Sequence, residues 1–179
     1  MRENKRSVGR YLRLIPGENA RRAAALLGAE EARFLAAPGS SSKHQAWAGG
    51  YLDHLAETMW LAENLYREMS AARPLPFSLG DAVLVLYLHD LEKPWKYLEP
   101  FARFADEGEE HRFVGEICAK YGIALSAEHE NALEYIHGEG EAYSPTERRQ
   151  GPLAAFCHVC DVLSARVWHD EPGRRLPGV

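Results

Sequence analysis

Cysteine is scarce in this chain: three residues among 179. An odd, small number builds no disulfide framework, and a reduced, cytosolic setting is the expectation. Long apolar runs are lacking too. The strongest, Ala82 to Leu88, is far too short to cross a bilayer. The opening "MRENKRSVGR" has no apolar segment behind its charges and does not read as a secretory signal. A basic excess is also missing. The net charge is −5 with histidines neutral, which excludes a general polyanion binder of the usual basic kind. What basic character there is gathers in Arg2, Lys5, Arg6, Arg10 and Arg13, and residues 1–17 read as a solvated arm. Alternating strand patterns, repeats, low-complexity tracts and glycine-rich phosphate loops are absent from the sequence, which argues against sheet folds and nucleotide-binding loops.

The residues present are those of helices. A hydrophobic content of 46% over 179 residues suffices for one domain with a core. The stretch from Gly17 to Ala37 is rich in Ala, Leu, Glu and Arg, and Pro38 and Gly39 end it. From Gly49 to Met69, Leu52, Leu55, Met59, Ala62, Leu65 and Met69 recur at spacings of three and four, one apolar stripe on one helix. Ser78 with Asp81 three residues on makes a capping box for a buried helix through Leu88. An acidic turn, "DEGEE", leads into a helix from Glu109 to Tyr121, which Gly122 closes. A short helix runs from Ser126 to His137. Ser144, Pro145 and Glu147 signal a further start, and a last helix runs from about Gly151 to Trp168. The expectation is an all-α, single-domain bundle of six or seven helices over residues 18–170, with a tail at 171–179.

Within it, the run "VLYLHDLEKPWKY", Val85 to Tyr97, sets an imidazole and a carboxylate where leucines are being buried. A charged aspartate at the end of a buried helix is costly unless it is paired, hydrogen-bonded or bound to a cation. Imidazole with carboxylate is a normal set of donors for divalent ions. His54 lies one position off the apolar stripe of its helix, and Asp161 sits beside Cys160 on the last helix. Three helices bordering the core thus offer donors to one point in a bundle.

The order His54, His89-Asp90, Asp161 resembles the H…HD…D signature of the HD-domain metal-dependent phosphohydrolases. "HQAWAGGYLDH", "LHDLEK" and "FCHVCDVLSAR" are similar to that family's flanking segments, so the resemblance runs from His44 to Arg166. It implies an HD-type helical domain in which His54, His89, Asp90 and Asp161 bind a divalent metal (Mn, Fe, Co, Ni, Zn or Mg). His111 and His137 stand where branches with two ions add ligands. The chain departs from the pattern at Ile136-His137, where two histidines are common, and at Glu92, where glycine is usual. His129 lies about 12 Å along a helix from His137, too far to share an ion.

The implied activity is hydrolysis of a phosphoester, in a nucleotide, a cyclic nucleotide or a nucleic-acid end, by metal-activated water at a binuclear centre. Asp90 would position the water, Lys93 neutralise charge on the phosphate, and His44 protonate the departing alkoxide. Lys96 and Arg148 are candidates for holding a second phosphate. Two alternatives stand beside this reading. One is a one-metal nucleoside monophosphate phosphatase. The other is a non-catalytic metal- or nucleotide-binding module in which Glu92 neutralises Lys93. Trp95 and Tyr97 read as packing rather than base-stacking residues. Cys157 and Cys160, a CxxC without a second pair, read as structural.

Overall fold

The structure is a computed structural model that describes residues 2–98, 104–168 and 170. Among these residues it is helical, with nine α-helices and no strand. They are α1 (Arg2–Leu12), α2 (Glu18–Ala29), α3 (Glu31–Ala36), α4 (Gly50–Ala72), α5 (Leu79–Leu88), α6 (Lys93–Leu98), α7 (Glu107–Tyr121), α8 (Ala127–Tyr135) and α9 (Pro152–Val167). The all-α expectation holds. The long α4 is the hub, packed against α1, α5 and α9, while α8 covers α9 and α5.

The basic N-terminal segment is not a solvated arm. It forms α1, and Val8, Tyr11, Leu12 and Ile15 are buried in the core. Their spacing of three, four and seven residues is one helical face, which the density of positive charge obscured in the sequence. Arg10 Nη2 and the Tyr11 hydroxyl both donate to the Glu63 carboxylate of α4, at 3.1 Å each, so the charge is partly answered across the helix pair.

Local signals set most other boundaries. Ser78 and Asp81 form both bonds of the capping box, and α5 is buried at Gly80 and from Ala82 through Leu88. Asp106 caps α7, so the acidic run builds the first turn of that helix instead of a separate turn; carboxylates there suit the positive end of the helix dipole. Gly122 ends α7 in the left-handed conformation. Ser126 caps α8 through His129, whose other ring nitrogen reaches Asp81 at 3.1 Å. The segment expected as one helix from Gly17 breaks at Glu30 into α2 and α3. The signal at Ser144 makes only a turn, in which the serine Oγ accepts from Thr146 and Glu147, and the next helix waits for Pro152. Pro100 and the expected tail at 171–179 lie outside the described residues.

Candidate metal centre

Three pieces of chain meet at one end of the bundle. His54 comes from the second turn of α4, and Asp161 from the middle of α9, which packs on α4. His89 is the C-cap of α5. A tight turn then follows, with Leu91 N donating to Leu88 O and Lys93 N to Asp90 O, and it holds Asp90 beside His89.

The donors converge closely. His54 Nε2 lies 3.3 Å from His89 Nε2, 3.4 Å from Asp90 Oδ2 and 3.1 Å from Asp161 Oδ1. His89 Nε2 lies 3.3 Å from Asp90 Oδ2. Both histidine side chains are fully buried, Asp90 is 2% exposed and Asp161 13%. His54, His89 and Asp161 form a group able to hold a metal ion.

The hydrogen bonds around the rings show what the centre requires. His89 Nδ1 lies 2.8 Å from the Leu86 carbonyl, which can only accept. His54 Nδ1 lies 3.0 Å from Ser164 Oγ, whose own proton goes to Glu57 Oε2 at 2.7 Å. With the proton placed at Nδ1 on each ring, both Nε2 atoms face each other and two carboxylates. Four electron-rich atoms in a buried space demand positive charge. Burial alone would lower the basicity of His89, but Asp90 and Asp161 overcome it and push the imidazole up to about 10. Burial likewise opposes ionisation of Asp161, yet hydrogen bonds from His54 and His89 hold it well below the usual carboxylate range. Without a cation the centre captures a proton. Neutral imidazoles with fixed tautomers and ionised carboxylates are the donor set that a divalent ion uses, so the residues fit a metal.

A second layer supports this set. Glu57 is buried on α4, three residues beyond His54, and accepts from Ser164 and from Gln45 Nε2 at 2.7 Å each. Burial pushes its carboxyl up to about 7, against the pull of these bonds. Gln45 Oε1 in turn accepts from His44 Nδ1 at 2.7 Å. One buried carboxylate thus orients two histidines, His54 directly through Ser164 and His44 through Gln45. The loop is shaped for this. Gln45 has φ 41°, the one non-glycine residue in the left-handed region among those described. Gly50 lets its carbonyl approach, since a Cβ there would come within 1.8 Å of Gln45 O.

Other expected site residues are placed as follows. Lys93 Nζ bonds Asp90 Oδ2 at 2.5 Å rather than Glu92. Glu92 is buried, and burial together with Asp90 raises its carboxyl to about 8. His137 stands at the edge of the cluster, 3.9 Å from Asp161 Oδ2, the oxygen not directed at His54. His111 is not drawn in. It pairs with Glu134 at 3.5 Å beside an apolar pocket on another side of His89. Lys96 binds Glu110, and Arg148 borders a separate cleft with Glu139 and Tyr143, so neither joins the metal donors. Trp95 packs on Phe34 and Phe113 with the Arg33 guanidinium over its ring. Cys157 and Cys160 are buried free thiols.

Beside Asp161 opens a cleft of about 600 Å³, lined by Lys43, His44, Lys93, His137, His158, Asp161, Val162, Ala165 and Arg166. Lys43, His158 and Arg166 escape a reading from motifs. Ser164 and Glu57, by contrast, share a helix face with a candidate ligand three residues away, and that spacing is the signal that finds them. Gln45 leaves no sequence signal, because its role depends on a backbone turn.

Comparison of the chain with protein-family models, with curated proteins and with solved structures returns no match. No helix among the described residues is long and apolar enough to cross a membrane.

Proposed function

We propose that the protein is a metal-dependent phosphohydrolase of the HD type. The observation that carries this reading is the convergence of His54, His89, Asp90 and Asp161, with Asp161 also lining a cleft that carries Lys43, Lys93 and Arg166. The resemblance in residue order supports it, and so does the fixing of both histidine tautomers. His54, His89, Asp90 and Asp161 would hold a divalent cation, which when bound would supply Lewis acidity toward a phosphate oxygen and lower the pKa of water. The chain supplies the rest. Lys93, raised in basicity by Asp90 although burial opposes it, stays charged and offers its ammonium to phosphate oxygens. His44, anchored at Nδ1, is left with Nε2 for proton transfer to a leaving oxygen. The donor set is complete for one cation.

A second reading, with two ions, draws on Asp161. Its Oδ1 lies near His54 and its Oδ2 near His137, so Asp161 and His137 would hold the second ion. His111 stays outside, so a second position has fewer protein donors. Against the non-catalytic alternative, Lys93 bonds Asp90 rather than Glu92.

Turnover of nitrophenyl phosphate mono- and diesters with Mn, Co or Mg tests the proposal. Activity is expected with at least one metal and a loss of at least about 100-fold in Asp161→Ala. Failure with every metal, alongside tight nucleotide binding, would favour the module. Metal stoichiometry separates one ion from two. A value of two that falls to one in His137→Ala supports the second reading, and a value of one in both supports the first.

A further inference from the structure

The rim of the cleft carries more positive charge than one phosphate group needs. Lys93 is engaged with Asp90 at the floor. Lys43 and Arg166 approach from the α3–α4 loop and from the last turn of α9. Both are exposed, and neither makes a side-chain hydrogen bond or ion pair with the described residues. Most other described cations have a partner: Arg10 with Glu63, Arg21 with Glu18, Arg67 with Glu68 and Lys96 with Glu110. In a chain of net charge −5, two unanswered cations line the same cleft as Asp161 of the candidate centre. Asp161 is the sole acidic side chain among the lining residues, and it is a proposed ligand. Apart from imidazoles the lining has no aromatic ring, so the cleft offers no stacking platform for a base. Its volume of about 600 Å³ suits a ligand larger than a lone phosphate.

From this we infer that the substrate carries at least two phosphate groups: one at the metal centre, and a neighbouring one held by Lys43 and Arg166, with little reading of the base. The inference rests on the phosphohydrolase reading and narrows it. In the reaction, water forms a bond to the phosphorus at the centre, the ester P–O bond breaks, and the departing oxygen takes a proton. The second phosphate is untouched and serves for binding. Such a ligand is either a short single strand or a nucleoside bisphosphate.

The test is calorimetric binding to calcium-loaded protein, with each probe shown to be intact after the titration, so that the readout is binding and not turnover. The probes are thymidine 5′-monophosphate, thymidine 3′,5′-bisphosphate, and a thymidine dinucleotide with and without a 5′-phosphate. At least one two-phosphate probe is expected to bind about 10-fold or more tighter than either one-phosphate probe. The two-phosphate probe that binds more tightly identifies the source as strand or bisphosphate. Lys43→Ala/Arg166→Ala should remove that advantage and lower the salt-dependence slope by about 1 per cation that contacts a phosphate. Arg148→Ala, an exposed cation at another cleft, should change neither. Helical circular dichroism and melting temperature of the double variant serve as the folding control, since both side chains are exposed. Equal binding of one- and two-phosphate probes, or an advantage that survives the double substitution, overturns the inference. Absence of hydrolysis with an intact binding difference would overturn the enzymatic reading and leave the two-phosphate site standing.

Discussion

At the scale of single residues, the decisive fact is where protons sit. His54 and His89 each spend Nδ1–H on a fixed acceptor, so each Nε2 is free to act as a ligand. Ser164→Ala removes the acceptor for His54 without touching the cluster. It should cost about 10–100-fold in metal affinity with the fold retained, measured by competition with a metal-sensitive dye. Glu57 gives a separate prediction. Its carboxyl is raised in the fold, to about 7 from 4.5, so the native state holds a proton that the unfolded chain releases. Stability from this group is therefore intact below pH 4.5 and falls until pH 7 is passed, by roughly 3 kcal/mol at most. Glu57→Gln keeps an oxygen for Ser164 and Gln45 and should flatten that part of the pH–stability curve in urea titrations. An unchanged curve would show that Glu57 is not strained by burial. The four central residues were legible in the sequence because charge at core borders is conspicuous. Lys96 and Arg148 show that proximity in sequence does not reveal which way a cation turns: Glu110 holds the first, and the second lines a separate cleft.

At the scale of elements, caps and glycines shape the centre. The Ser78 capping box was readable from spacing alone, because its bonds are local. The α3–α4 loop was not, since its form depends on contacts across the bundle. Gly39 N donates to Gln45 O, Gly50 leaves room for that carbonyl, and the Gln45 amide reaches Glu57. Gly50→Ala would place a methyl group within 1.8 Å of the carbonyl, so the loop must move. A loss of about 2 kcal/mol or more is expected in chemical denaturation, together with weakened metal binding, because His44 and His54 share this support. A variant with wild-type stability would mean that the loop has another equally good conformation. The false helix start at Ser144 illustrates the same limit. Ser-Pro-x-Glu describes a capped turn as well as a capped helix, and only the residues beyond it decide.

At the scale of the whole molecule, the bundle is closed by the segment that composition made look dispensable. Val8, Tyr11, Leu12 and Ile15 are 0–3% exposed, and full burial of such side chains contributes about 1.5–3 kcal/mol each. Together they rival the whole net stability of a typical domain. Deletion of residues 1–15 should abolish cooperative thermal unfolding, whereas a solvated arm would leave it intact. Helical class and the α4 core stripe from Leu52 to Ala62 were plain from periodicity, whereas Met69, which continues the stripe in the sequence, is exposed. The α1 stripe was masked by charge, and the break at Glu30 lay within a run of uniformly strong helix formers.

The account depends on a cation between α4, α5 and α9. Anomalous diffraction recorded on both sides of the manganese edge, from crystals grown with that ion, tests this directly. The prediction is a difference peak in contact with His54 Nε2, His89 Nε2, Asp90 and Asp161, lost in His89→Ala. Featureless density among those four side chains in the wild-type crystal, at saturating manganese, would contradict it.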